Sequence, residues 1–209
     1  MVRIDRIVTE SRVDGPGLRN VVFFQGCPIG CAFCQNKRIW PAEGGTLVSA
    51  QKLARTLSQN GQNKVTISGG EPFAQPQALA ELVHALEFYG VTDIIVYTGF
   101  TWELLMDPLV NPNFGYMRSI LDYVSIVVDG PFIKALDDKF INYRGSRNQR
   151  PIDVNASLDS GAVVVLDWDA TEMVITPEGE VVLPEGLAVE FEDLGILTSN
   201  RMCGQTIGF

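Results

Sequence analysis

Nitrogen and sulfur ligands for a metal ion are scarce in this chain, whose 209 residues include one histidine, His84, and four cysteines. A structural zinc normally takes four protein ligands. Once the three cysteines of one short loop are counted, only His84 and Cys203 remain to complete such a set, and both are remote in sequence. Basic charge is also short, with 16 Lys and Arg against 25 Asp and Glu, a net charge of −9. Such a surface repels nucleic-acid backbones and anionic lipid, so neither nucleic acid nor membrane is expected as a partner. No apolar run approaches the roughly 18 residues that span a bilayer. The first residues, Met1-Val2-Arg3-Ile4-Asp5-Arg6, lack the apolar core of a signal peptide. A cytoplasmic setting with reduced thiols is the expectation. Internal repeats and low-complexity stretches are missing too.

Three of the four cysteines stand together in Gly26-Cys27-Pro28-Ile29-Gly30-Cys31-Ala32-Phe33-Cys34. Thiolates at C-x3-C-x2-C spacing on a Gly/Pro-rich loop can converge on one soft metal centre. If that centre is a four-iron cubane, three cysteines leave one iron without a protein ligand. An open position is where a substrate binds and is activated, as at catalytic zinc sites. The competing reading is half of a zinc knuckle completed from elsewhere. Disulfides do not suit a loop this tight in a chain with no mark of secretion.

Strand-like runs alternate with helical patterns through the first two-thirds of the chain. Val21–Phe24 leads into the cysteine loop. Ser49 can cap a helix through Leu57, and Val65–Ile67 reads as a buried strand ending in Ser68-Gly69-Gly70. A helix is expected over Ala78–Tyr89, closed by Gly90. His84 lies within it as a partly exposed helix residue. A strand at Asp93–Tyr97, a short helix at Trp102–Met106, a helix at Met117–Leu121 and a strand at Tyr123–Val128 follow. That alternation predicts a parallel α/β sheet, open or curled toward a barrel. The cysteine loop, Ser68-Gly69-Gly70-Glu71-Pro72, Tyr97-Thr98-Gly99 and Asp129-Gly130-Pro131-Phe132 each follow a strand. Ligands bind at the carboxyl ends of parallel strands, so these four segments should ring one site. A first domain over 1–155 and a β-rich extension over 156–209 are expected. In the extension, Ala162–Leu166, Glu172–Ile175 and Glu180–Leu183 are short apolar runs, the last two joined by Thr176-Pro177-Glu178-Gly179, which reads as a β-hairpin or small sheet.

Gly69-Gly70-Glu71-Pro72 places glycines where backbone must approach a ligand closely, and its polar backbone could grip the amino end of a small molecule. Phe33 could face an adenine ring or pack beneath the cluster. Together with C-x3-C-x-aromatic-C, this loop resembles the radical S-adenosylmethionine superfamily. Asp14-Gly15-Pro16-Gly17-Leu18-Arg19 is similar to a motif of glycyl-radical-enzyme activases, as is the Cys-x-Asn ending Cys34-Gln35-Asn36. Tyr97-Thr98-Gly99-Phe100, Val128-Asp129-Gly130-Pro131-Phe132 and Tyr143-Arg144-Gly145-Ser146-Arg147-Asn148-Gln149 resemble the branch that activates anaerobic ribonucleoside-triphosphate reductase. The likeness covers residues 5–153.

The resemblance implies a partial, open (β/α) barrel of the radical SAM type with a small β-rich C-terminal extension. It implies a [4Fe-4S] cluster on Cys27, Cys31 and Cys34. It also implies an S-adenosylmethionine pocket lined by Phe33, Cys34, Gln35, Gly69, Gly70 and Glu71, with Asp129 near the ribose. No residue is expected to be catalytic beyond cluster and cofactor. The reaction implied is reductive cleavage of S-adenosylmethionine to methionine and a 5′-deoxyadenosyl radical. That radical takes a hydrogen atom from one glycine of the reductase, the electron arriving from a flavodoxin- or ferredoxin-type donor. Alternatives are activation of another glycyl-radical enzyme such as pyruvate formate-lyase, a small-metabolite radical synthase, and an iron–sulfur carrier or sensor. Arg144, Arg147 and Asn148 would hold carbonyls of a docked partner or close the last turn of the barrel. Cys203 reads as an incidental thiol. Arg201-Met202-Cys203-Gly204-Gln205 has a faint likeness to the glycine loop of such partners, and chance is the simpler explanation of so short a match.

Overall fold

The computed structural model describes residues 1–169 and the strand backbone at 174–175 and 181–182. One unit, Met1–Thr171, contains β1 (Val2–Ser11), β2 (Arg19–Phe24), β3 (Thr46–Val48), α1 (Ala50–Leu57), β4 (Lys64–Gly69), α2 (Pro76–Phe88) and β5 (Asp93–Tyr97). It continues with α3 (Trp102–Met106), α4 (Phe114–Leu121), β6 (Ile126–Asp129), β7 (Arg150–Asp153) and α5 (Val154–Ser160). A second unit, Glu172–Phe209, contributes β8 (Val174–Ile175) and β9 (Val181–Val182), which pair antiparallel as the expected hairpin. The Arg201–Gln205 tail and Cys203 lie outside the described residues. Among those residues, no helix is long and apolar enough to cross a membrane.

The fold is mixed α/β around a seven-stranded open sheet of order β3-β1-β2-β4-β5-β6-β7. Its centre, β2-β4-β5-β6, is parallel as expected. The flanks are not, because β1 and β3 join one side antiparallel and β7 the other. β1 escapes a search for apolar runs because Arg3, Asp5 and Arg6 interrupt it. Pro151 lacks an N–H to donate, and the edge strand β7 tolerates it. Ala162–Leu166 forms no strand, only a bridge between Val165 and Ile152. The expected break between 155 and 156 falls inside α5, whose first residue, Val154, is fully buried in the core.

Side-chain alternation divides the sheet into two faces. Val22, Ile67, Val96, Val127 and Ile152 form one cross-strand row, packed with α1, α2 and α4 in the main core. Ser49 caps α1 by accepting from Lys52 N. α2 buries Leu79, Leu82, Val83 and Leu86, while His84 is exposed on it and meets Tyr123 edge-on. The opposite face carries Phe23, Ser68, Tyr97 and Val128, and Ile95 and Val128 pack there with Trp168. Among the described residues no helix packs against this face, so a ligand can lie on the strands there.

Asp14-Gly15-Pro16-Gly17-Leu18-Arg19 crosses that second face. The Asp14 carbonyl accepts from Thr66 Oγ1 at 2.8 Å, and a Cβ on Gly15 would stand 2.9 Å from Ile95 Cδ1. Arg19 has no exposed surface. Its Nε donates to Thr66 Oγ1 at 2.8 Å, Nη1 to the Pro16 carbonyl at 2.9 Å and Nη2 to Asp93 Oδ1 at 2.8 Å. One guanidinium therefore binds the crossing segment to β4 and β5. Arg19→Met should lower unfolding stability by about 3 kcal/mol, because removing one member of a buried pair strands its partners. Urea titration should show a lower midpoint with an unchanged slope; an unshifted midpoint would contradict this role.

Candidate cluster and cofactor site

The cysteine loop leaves the end of β2 and is pinched at its base by two backbone bonds. Gly26 N donates to the Ile39 carbonyl at 2.8 Å and Cys27 N to the Trp40 carbonyl at 3.1 Å. A 3-10 turn at Lys37–Ile39 drives Ile39 into the interior, 1% exposed, and so anchors the returning strand of the loop. Within the loop, Cys34 N donates to the Cys31 carbonyl at 3.0 Å, and Cys34 Sγ accepts from Asn36 N at 3.3 Å. Cys27, Cys31 and Cys34 are free thiols, each half-buried. Burial pushes the Cys27 thiol above its ordinary range, opposed by the backbone of Ile29 and Gly30. Metal binding must displace that proton, which makes affinity rise with pH.

All three cysteines line one cavity of about 500 Å³ at the carboxyl ends of the parallel strands. The other walls are Ser68–Glu71 after β4, Tyr97–Gly99 after β5 and Gly130–Phe132 after β6. The four expected segments therefore do surround one site. The volume suits a cofactor-sized ligand, and soft thiolates beside it suit an iron–sulfur cluster. Among the described residues, no three His, Cys, Asp or Glu side chains converge on a single ion. Thiolates on a cubane each take a different iron and need no such convergence. The donor set and the adjoining cavity fit a cluster with a bound cofactor.

Glu71 locks the strand ends together. Its backbone N donates to the Gly26 carbonyl at 2.8 Å, tying β4 to the base of the cysteine loop. Its carboxylate accepts from Phe73 N at 2.9 Å, Thr98 Oγ1 at 2.9 Å and Gly99 N at 2.8 Å. The side chain is wholly buried. Burial raises the acid to about 7, and the bonds from Gly99, Phe73 and Thr98 oppose that rise. Gly70 is needed for the same junction. A Cβ there would lie 2.1 Å from the Gly26 carbonyl oxygen. The close approach foreseen for a ligand is thus made by the loop backbone itself.

Gln35, Gly69, Gly70 and Glu71 reach the cavity wall with the cysteines. Phe33 and Asp129 are not brought there. Phe33 is 63% exposed and is not part of the cavity lining. Asp129 is buried, but its carboxylate accepts from Trp102 N at 2.8 Å and Arg150 Nε at 3.0 Å, starting α3 and holding β7. A strand-end aspartate read from sequence alone carries no sign of those two partners.

The sequence left Arg144, Arg147 and Asn148 of Tyr143–Gln149 between holding a docked partner and closing the last turn of the barrel. Gln149 Oε1 accepts from Gly145 N and Ser146 N, while its Nε2 donates to the Gly130 carbonyl. Arg144, whose side chain is 9% exposed, pairs with Asp169 and donates to the Asn142 carbonyl. Tyr97 Oη donates to the Tyr143 carbonyl at 2.7 Å, and Asn148 Nδ2 to the Pro131 carbonyl at 2.8 Å. These bonds close the far wall of the cavity. Arg147 instead points outward to Asp138. Trp40, Ile39 and Val13 also line the site although no motif announced them, and Asp14 reaches it from the start of the Asp14–Arg19 motif.

A carboxyl held above its ordinary value binds its proton more tightly folded than unfolded. The stability this gives is present below pH about 4.5 and is lost as pH rises through about 7. Glu71→Gln should remove that dependence. Unfolding free energies of the two proteins, measured across this window, should therefore differ in slope, the unaltered chain falling more steeply with pH. Parallel curves would show that Glu71 does not titrate there.

The profile of the 4Fe-4S single cluster domain family matches residues 13–152. The anaerobic ribonucleoside-triphosphate reductase-activating protein of Enterobacteria phage T4 is 32% identical over 153 residues, covering 70% of this chain and 90% of that protein. Its namesake in Salmonella typhimurium is 33% identical over 148 residues, covering 66% and 89%. The pyruvate formate-lyase-activating enzyme of Clostridium pasteurianum is 32% identical over 156 residues, covering 70% of this chain. The chain spans only 60% of the length of that Clostridium relative. By profile and by these relatives, it belongs to the 4Fe-4S single cluster domain family, among the activating proteins of glycyl-radical enzymes.

Proposed function

We propose that this chain generates a glycyl radical on anaerobic ribonucleoside-triphosphate reductase by reductive cleavage of S-adenosylmethionine. One observation carries the chemistry: three free cysteines and the Gly69-Gly70-Glu71 turn share a single cavity at the strand ends. Bound there, cluster and S-adenosylmethionine supply one-electron cleavage of the sulfonium and a carbon radical able to take a hydrogen atom from glycine. Cys27, Cys31 and Cys34 hold the cluster as thiolates. The loop base at Gly26 and Cys27 keeps them on one wall. Gln35, Gly69, Gly70 and Glu71 form the adjacent surface for the cofactor. Ile39 and Phe132 exclude water from that wall, which protects reactive species from solvent. The open sheet is then a partial (β/α) barrel of the radical SAM type, its ligand loops at the carboxyl ends of β2, β4, β5 and β6.

The choice of partner rests on how well the relatives superpose in length. About 90% of the reductase-activating proteins is matched, against 60% of the pyruvate formate-lyase activase. A flavodoxin- or ferredoxin-type protein would supply the electron, in the cytoplasm. The test is anaerobic reconstitution, an assay of S-adenosylmethionine cleavage, and electron paramagnetic resonance on mixing with each candidate partner. A glycyl-radical signal with the reductase and none with pyruvate formate-lyase is expected. The reverse would reassign the partner, and cluster without cleavage would indicate a carrier.

Replacing Cys27, Cys31 or Cys34 singly with Ala should take S-adenosylmethionine cleavage below detection while far-ultraviolet circular dichroism stays unchanged. Retained cleavage in any one variant would remove that residue from the ligand set. Gly70→Val should lose both cluster and cofactor binding, because the added side chain collides with Gly26 rather than with the ligand. Iron and sulfide at normal levels in this variant would show that the junction tolerates the branch.

A further inference from the structure

Among the described residues, two side-chain nitrogen or oxygen atoms are buried without a hydrogen-bond partner: Trp40 Nε1 and Asn148 Oδ1. The first stands beside the cysteine loop. The Trp40 carbonyl accepts from Cys27 N at 3.1 Å, so ring and cysteine are tethered through their backbones. Trp40 and Cys27 share the wall of the main cavity and also that of a second cavity, about 380 Å³, behind the loop. Their neighbours in the second wall already have partners. The side-chain oxygen of Gln75 accepts from Arg3 N at 2.9 Å, and Gln25 Nε2 is itself a donor, bound to the Pro41 carbonyl at 2.7 Å. An indole N–H can only donate, and a buried donor left unpaired is costly. The group missing from its surroundings must therefore be an acceptor.

We infer that Trp40 Nε1–H donates a hydrogen bond to a sulfur of the iron–sulfur cluster, making the cluster easier to reduce. The inference rests on the cluster reading given above. Sulfide and thiolate sulfurs carry negative charge, and one added electron increases it. A donor aimed at them stabilises the reduced state more than the oxidised one, which is how hydrogen bonds to sulfur set potentials in such centres. The Lys37 ammonium, 5.6 Å from the centroid of the Trp40 ring, holds the indole face and draws on its electron density, which favours donation at Nε1. Trp40→Phe removes the N–H and keeps the ring bulk.

Iron and sulfide are first measured on anaerobically reconstituted unaltered chain and Trp40→Phe, without S-adenosylmethionine. Potentials are then determined by titration followed by electron paramagnetic resonance. The variant should load normally and its reduction equilibrium should fall about tenfold, about 59 mV for a one-electron couple. In the unaltered chain, indole-15N tryptophan should give a weak nitrogen coupling to the reduced cluster, detected by pulsed resonance and lost in Trp40→Phe. That loss assigns the coupling to Trp40 rather than to Trp102 or Trp168. Normal cluster content with an unmoved potential and no coupling overturns the hydrogen bond while leaving the cluster reading intact. A coupling that appears only after S-adenosylmethionine is added overturns it too, placing the donor on the cofactor. Failure of the unaltered chain to hold iron and sulfide takes down both. If the variant does not load, labelled Trp102→Phe and Trp168→Phe chains decide: a coupling kept in both belongs to Trp40, and one lost in either overturns the hydrogen bond.

Discussion

A carboxylate with no exposed surface joins the strand ends that make the site. Glu71 reaches the cysteine loop through its backbone and the loop after β5 through its side chain, so three segments distant in sequence move as one. Burying a carboxylate costs a great deal unless donors surround it. Here Phe73, Thr98 and Gly99 supply them, and the cost of burial becomes a reason for those loops to stay in register. Gly70 permits the contact, since any side chain at that position would meet the Gly26 carbonyl. The cavity wall is a by-product of this junction. Thiolates, cofactor surface and far wall all hang from it.

The sheet divides labour by parity. One row of side chains is consumed by the helices, and the alternate row is left for the ligand side. Arg19 uses the freed face differently, filling it with a guanidinium whose donors are spent on the crossing segment, β4 and β5. At the far end, Asp129 and Arg150 do the same for α3 and β7. Charged groups near the site therefore serve mainly as braces. The chemistry is left to thiolates and backbone, which agrees with a reaction whose difficult steps belong to a cofactor.

Much of this was legible in the residues. The parallel strands were readable because buried β-branched runs ending in glycine have few other uses, and Ser49 and Gly90 marked helix ends through their local chemistry. The cysteine spacing pointed to one shared site for the same reason, and the three free thiols do line one cavity. The antiparallel flanks were harder to see. Charge interrupts β1, the edge strand β3 is only three residues long, and the edge strand β7 carries a proline. Phe33 and Asp129 show the other limit. Both sit where a ligand contact is reasonable, yet neither lines the cavity: one is largely exposed, and the other is spent on Trp102 and Arg150.

Local sequence by itself determined the helices, the central strands, the grouping of three cysteines on one loop and the order of the loops around the site, because each depends on spacing or on a neighbour within a few residues. Tertiary structure alone decided which of those loop residues face the cavity. It decided that Gly70 answers to Gly26, that Arg144 and Gln149 close the far wall, and that Trp40 brings an unpaired donor beside Cys27. Each of those outcomes is a contact between segments far apart in the chain. Hydrogen-bond partners and steric limits at such distances exist only after the sheet has brought the strand ends together.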